Sequence, residues 1–127
     1  MNFAKLGLIE PLLRTLQQLD YTTPTPVQAK AIPAVLAGRD LMAAAQTGTG
    51  KTAGFALPVL QRLALEGEKV ACNSIRALVL VPTRELAEQV HNNVREYAEN
   101  LPLSTYAVYG GVSINPQMMR LRRGVDL

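Results

Sequence analysis

One cysteine in 127 residues, Cys72, rules out an internal disulfide and agrees with a reducing compartment. It stands in a polar, loop-like stretch and reads as an incidental thiol. The one histidine, His91, has no second candidate ligand near it and lies beside the apolar stripe of a helical stretch, so it reads as a packing or surface residue. Long hydrophobic runs are lacking too: none approaches the ~18 residues that a membrane-spanning helix needs. The opening, MNFAKLGLIEPLLRTLQQLD, carries charges inside its apolar pattern and shows no small-residue cleavage site. Together these absences give the expectation of a cytoplasmic protein. Neither sign of charge dominates: 13 basic against 10 acidic residues permit an anionic partner without demanding one.

What is present is an ordinary globular composition, 48% hydrophobic with 18% charged, enough to bury a core within one domain. There is no internal repeat, low-complexity segment or linker. Ile9, Leu12, Leu13, Leu16 and Leu19 recur at helical spacing and predict an amphipathic helix over 9–19. A second helix is expected from Pro26 to about Ala37, ended by Gly38. Residues 40–45 (DLMAAA) read as a short buried strand. The glycine-rich turn QTGTG follows, then a helix from about Lys51 to Leu65 in which Pro58 is expected to make a kink. Residues 77–81 (ALVLV) give the clearest strand. Thr83 then caps a long helix whose apolar face is Leu86, Ala87, Val90, Val94, Tyr97 and Ala98. Residues 105–109 read as a third strand, Asn115-Pro116 opens a short basic helix with Met118-Met119 packed on the sheet, and 125–127 begin a further strand. Strands alternating with helices predict an α/β fold, a parallel sheet with flanking helices and right-handed crossovers.

The chemistry starts at AAQTGTGKT, residues 44–52. A glycine-rich turn between a buried strand and a helix lets backbone N–H groups converge on phosphate oxygens at the positive end of the helix dipole. Lys51 reaches the β- and γ-phosphates in this reading, and the Thr52 hydroxyl is a magnesium ligand. A tight turn with an exposed lysine is the alternative, and the strand before and helix after argue against it. Ala45 stands where the usual first glycine of G-x-x-x-x-G-K-[ST] is found. Upstream, Thr25-Pro26-Val27-Gln28 fits a capping box with Thr25 as N-cap and Gln28 reaching back. The same glutamine, with Tyr21 seven residues before it, also suits the reading of a base edge; position alone does not decide.

With these residues in view, Ala45-Gln46-Thr47-Gly48-Thr49-Gly50-Lys51-Thr52 resembles motif I of the DEAD-box RNA helicases, which carry alanine at that first position. Tyr21 to Gln28, with Phe3 as an isolated upstream aromatic, resembles the Q motif (about 1–28). Pro82-Thr83-Arg84-Glu85-Leu86-Ala87 resembles motif Ia, and Gly110-Gly111 the family's glycine doublet. The run VYGGVSINPQMMRLRRGVD and the MNFAKLGL opening are similar to a bacterial RhlE-type subgroup. The resemblance implies a RecA-like P-loop domain that binds ATP with magnesium through Tyr21, Gln28, Gln46, Thr47, Gly48, Thr49, Gly50, Lys51 and Thr52. Tyr21 stacks on adenine and Gln28 hydrogen-bonds its edge, so the cap reading is kept for Thr25 and set aside for Gln28. Lys51 and Thr52 are the candidate catalytic residues. It also implies that Thr83, Arg84, Gly110 and Gly111 hold the RNA sugar-phosphate backbone, with Arg120, Arg122 and Arg123 read as a solvated helix face beside them.

Other family features are not found. The sequence has no adjacent Asp-Glu pair of the kind that orients magnesium and the attacking water, no serine-alanine-threonine motif and no second RecA-like domain. Asp126 is the one acid downstream of the phosphate loop placed near the end of a buried strand. The expectation is therefore a first RecA-like domain incomplete at its C-terminus: a segment of an ATP-dependent RNA helicase that is inactive by itself. A non-catalytic nucleotide- or RNA-binding module is the alternative. A P-loop kinase unrelated to RNA fails to explain Gln28 with Tyr21, or PTRELA.

Overall fold

Asn2 accepts a hydrogen bond from the Lys5 amide and so caps a short 3₁₀ helix, Phe3–Leu6, which Gly7 ends in the left-handed region. The computed structural model describes residues 2–46 and 50–127, and five α-helices follow the 3₁₀ turn. Helix α1 is Glu10–Gln18, within a residue of expectation at each end, and its apolar stripe buries Leu12 and Leu16. Thr15 lies on the same face; its hydroxyl donates to the Pro11 carbonyl and accepts from Asn100 Nδ2 at 2.6 Å. Helix α2 is Pro26–Leu36 and helix α3 is Lys51–Glu66. Each contains a proline, Pro33 and Pro58, which withholds one backbone donor from its helix. The kink expected at Pro58 does not interrupt α3, which is one element from end to end. Helix α4 is Arg84–Tyr97, with the Thr83 hydroxyl accepting from Leu86 N at 3.2 Å, and α5 is Ile114–Leu121.

The core forms where the 3₁₀ turn and α1, α2, α3 and α4 meet. Leu12, Leu16, Ile32, Leu57, Leu60 and Val94 are fully buried there, each worth about 1.5–3 kcal/mol by transfer from water. Tyr97 joins them, and burial pushes its phenol well above the usual range. One polar side chain organises this side of the molecule. Buried Gln61 on α3 donates to the Gly7 carbonyl at 2.9 Å and accepts from the Ile9 amide at 2.8 Å, tying the N-terminal segment to the core.

The expected parallel sheet is the largest correction. Among the described residues no segment forms a paired strand; one isolated parallel bridge joins Ile75 and Val125. Residues 125–127 lie between two extended segments and bond to both. Val125 N donates to Ser74 O, and Asp126 O accepts from Arg76 N and Ala77 N. On the other side, Asp126 N donates to Ser104 O while Tyr106 N donates to Leu127 O. Beyond Leu127 the segments 77–81 and 106–110 face each other across an open cleft of about 470 Å³. Leu78, Leu80 and Val108 are consequently exposed, and Met42 in the 40–45 segment is 97% exposed. Strand character requires a bonded neighbour. These segments have the sequence of buried strands, without a continuous ladder beside them.

Asp126 fastens the one place where three segments meet. Its carboxylate accepts from Arg76 Nη1 at 3.1 Å, from the Ser104 amide at 2.9 Å and from the Ser104 hydroxyl at 3.3 Å. The Gly124 backbone just before it is left-handed, and a Cβ there would collide with the Ala71 carbonyl oxygen, so the turn into 125–127 admits only glycine.

Candidate functional site

Thr25 and Gln28 make a complete capping box at the start of α2. The Gln28 amide donates to Thr25 Oγ1 at 3.4 Å, and Gln28 Oε1 accepts from Thr25 N at 3.0 Å. The cap reading set aside for Gln28 in favour of a base contact therefore holds: the side chain reaches back because the first turn of a helix leaves donors unsatisfied. It also does something the capping box does not require. Gln28 is buried, and its Nε2 donates to the Gly50 carbonyl at 3.1 Å, linking α2 to the turn that opens α3. Gly50 is left-handed (φ 83°), and a Cβ on it would run into the Gln28 amide nitrogen. The glycine is needed twice over, for its conformation and for this approach.

Lys51 and Thr52 are the first two residues of α3, Lys51 exposed and Thr52 half-buried. The first turn of α3 has no acidic residue. A lysine at this position opposes the helix dipole, an arrangement that favours an arriving anion over helix stability. Tyr21, Gln28, Gly50, Lys51 and Thr52 line one open cleft of about 890 Å³, together with Leu86, Gln89 and Asn93 of α4. The Tyr21 ring is 41% exposed at its wall and meets Tyr97 edge-on, with centroids 6.3 Å apart. Gln46 is exposed. Thr47, Gly48 and Thr49 lie outside the described residues.

The second group of expected residues gathers at the opposite side of α4. Thr83 caps that helix, so its hydroxyl is already committed to Leu86 N. The Arg84 guanidinium carbon lies 4.8 Å above the centre of the Tyr109 ring, and its Nε is 3.7 Å from Glu88 Oε1. The Tyr109 hydroxyl donates to that same carboxylate oxygen at 3.0 Å, and this bond raises the phenol's pKa. Tyr109 N in turn donates to Gln117 Oε1 at 2.9 Å, while Gln117 Nε2 donates to Ser113 O. Gly110 and Gly111 follow; a Cβ on either would meet nothing within 4 Å, so the surface beside them is open. Sequence reasoning did not find Glu88, Tyr109 or Gln117. The i,i+4 spacing of Arg84 and Glu88 was the available signal for the first.

Among the remaining candidates, His91 Nε2 pairs with the Thr105 hydroxyl at 3.1 Å, and burial lowers its pKa. Met118 and Met119 were expected against the sheet; they are 50% and 64% exposed, because α5 buries none of its residues. Arg120 stacks over Tyr106 at 5.6 Å, and Arg122 and Arg123 are exposed. Cys72 is exposed and free. Among the described residues no group of three or more His, Cys, Asp or Glu side chains is placed to hold a metal.

A family model described as DEAD/DEAH box helicase matches residues 25–127, which takes in both groups of site residues except Tyr21. The chain belongs to the DEAD/DEAH box helicases. This DEAD-box chain is 45% identical over 126 residues to the RNA helicase CrhR of Synechocystis sp., and 44% identical over 126 residues to DEAD-box ATP-dependent RNA helicase 28 of Oryza sativa subsp. japonica. Each match covers 99% of the chain but only 24% and 16% of those relatives, so it spans a quarter of their length or less. Among solved structures, the RNA helicase Prp28 from Chaetomium thermophilum bound to ADP aligns with a TM-score of 0.86 at 38% identity, over 96% of this chain and 30% of that one. A DEAD box protein from Methanococcus jannaschii aligns with the same TM-score at 35% identity, over 99% of this chain and 33% of that one. These neighbours are RecA-like DEAD-box domains. Among the described residues, no helix is long and apolar enough to cross a membrane.

Proposed function

We propose that the cleft at the start of α3 binds ATP with magnesium, and that the turn from Thr83 to Arg84, with Gly110 and Gly111, holds an RNA backbone. In a longer helicase containing this segment, the two events couple ATP hydrolysis to separation of short RNA duplexes. The observation that carries the nucleotide reading is the buried Gln28 amide, which touches the capped base of α2 on one side and the Gly50 carbonyl on the other. It joins the expected base end of the cleft to its phosphate end. An amide has two N–H donors and a carbonyl oxygen with two lone pairs, so one of each remains for an adenine edge. Tyr21 supplies the exposed ring at the same wall.

The residues present fit the phosphates well. Gly50 turns the backbone, α3 presents its N-terminal N–H groups, and Lys51 adds a charge that the helix itself does not favour. Thr52 is the one magnesium ligand proposed here; the nucleotide phosphates and water supply the remaining oxygens when the ion is bound. Of the described residues lining the cleft, Asp20 is the one acid. Binding without turnover is therefore the behaviour proposed for the chain by itself, and a non-catalytic nucleotide- or RNA-binding module is the second reading. The relatives, from a cyanobacterium and a plant at nearly equal identity, do not separate subgroups. The VYGGVSINPQMMRLRRGVD run supports the RhlE-type assignment, and with it a cytoplasmic bacterial setting.

The test is Gln28→Ala with ATP and GTP side by side. Loss of the reciprocal half of the capping box, the bond from Thr25 N to Gln28 Oε1, weakens the start of α2 by about 0.5–1.5 kcal/mol whichever nucleotide is present, while the Thr25 hydroxyl still caps the helix. Loss of a bidentate base contact adds about 1–3 kcal/mol for ATP alone. A fall in the ATP-to-GTP affinity ratio, measured by competition against a fluorescent nucleotide, is expected. An unchanged ratio with both affinities reduced would confine Gln28 to its capping role.

A further inference from the structure

We propose that Tyr109 is a positioning residue for Arg84, and that Glu88 holds the guanidinium in the place an RNA phosphate takes over. The inference rests on the reading of this turn as the RNA-backbone grip. Three observations on two elements carry it. The guanidinium carbon lies over the Tyr109 ring, 4.8 Å from its centre. One carboxylate oxygen, Glu88 Oε1, stands 3.7 Å from Arg84 Nε and 3.0 Å from the Tyr109 hydroxyl. The backbone of Tyr109 is itself held by Gln117, so the ring is anchored immediately before the glycine doublet.

Each contact has a different consequence for an approaching phosphate. An aromatic face attracts a guanidinium without neutralising it, so Arg84 keeps its charge and its planar fork while losing the freedom to swing away. A carboxylate neutralises the charge and repels a second anion. At 3.7 Å the Nε contact is an ion pair longer than a hydrogen bond, and about half of each side chain is exposed, so it exchanges readily with a phosphate. The open surface beside Gly110 and Gly111 is the side from which that phosphate arrives. Tyr109 therefore favours RNA and Glu88 opposes it, both through Arg84.

Anisotropy of a fluorescein-labelled oligouridylate of about a dozen nucleotides, titrated with the full chain and its variants at low and physiological salt, reads both effects. Arg84→Ala is the reference and is expected to weaken binding and flatten the salt dependence. Tyr109→Leu should weaken RNA about three-fold while Tyr109→Phe, which keeps the ring face, stays near the parent. Glu88→Gln should tighten RNA about two- to five-fold at low salt, an advantage that fades as salt screens the carboxylate. In the Arg84→Ala background neither Tyr109→Leu nor Glu88→Gln should have further effect. Arg84→Ala without loss would overturn the RNA reading of the turn and this inference with it. Loss on Arg84→Ala with no response to Tyr109→Leu and Glu88→Gln, or with responses that persist when Arg84 is gone, would overturn the inference alone.

Discussion

Asp126→Ala is expected to destabilise the chain by about 3 kcal/mol, the lower end of the loss seen when one partner of a buried ion pair is removed. The Asp126 and Arg76 side chains are 9% and 16% exposed, so the substitution strands a guanidinium away from water. It also removes the acceptor of the Ser104 amide and of the Ser104 hydroxyl. Glu66, whose Oε2 lies 4.0 Å from Arg76 Nη2, retains part of the pairing and keeps the effect from being larger. Asp126→Asn, which preserves an acceptor for Ser104 and drops the charge, should lose roughly half as much. Urea unfolding of the three proteins checks this through their midpoints at constant slope. A loss below about 1 kcal/mol for the alanine variant would mean that Arg76 finds water or Glu66 in compensation.

That network shows where the sequence is readable and where it is not. Asp126 stands in the sequence as an acid near the end of an apolar stretch, a position that in a nucleotide-binding fold suggests magnesium chemistry. Its partners Arg76 and Ser104 lie 50 and 22 residues away, and no periodicity announces contacts of that range. Helices are local: the stripe Leu12, Leu16 and the cap at Thr83 depend on neighbours within a turn or two, and α1 and α4 begin and end close to where that pattern places them. Strands are relational. The segments 77–81 and 105–109 have strand composition, but a ladder depends on what lies alongside, and residues 125–127 bond across to one end of each through Ala77 N and Tyr106 N.

The candidate site divides in the same way. The cap at Thr25 and Gln28 and the helix start at Lys51 are legible because capping boxes and glycine turns are short-range features with fixed spacing, and Gln28, Gly50, Lys51 and Thr52 line one cleft. The sequence pitted the cap against the base contact for Gln28, and the structure shows why that opposition was unnecessary: a side-chain amide has enough donors and lone pairs for a cap, the Gly50 carbonyl and one further partner. Tyr109 was not legible, since its meaning comes from Arg84, which stands at the start of α4 and meets it only in the folded chain.

Lys51→Ala is expected to lower the affinity for magnesium-ATP by about 100-fold while leaving the fold intact, and the separation of those two outcomes is what gives the substitution its force. Lys51 is exposed and opens α3, where a positive charge works against the helix dipole by about 0.3–1 kcal/mol. Alanine is also the better helix former, so thermal unfolding should shift slightly upward or not at all. Against this, a charge-assisted contact to a phosphate contributes about 1.5–3 kcal/mol, and tenfold in affinity corresponds to about 1.4 kcal/mol. ADP and ATP should both be weakened, and AMP, which lacks the β- and γ-phosphates, should respond little. Calorimetric titration of the full chain with each nucleotide, beside its melting curve, distinguishes the cases. Unchanged ATP affinity in a normally folded variant would remove the phosphate-loop reading. A loss shared equally by AMP would move Lys51 to the α-phosphate and leave the loop assignment standing. In the proposed reading, a charge that the helix does not favour, at the mouth of a cleft one side of which is held by Gln28, is matched by the phosphates of a bound nucleotide, and these titrations test that match.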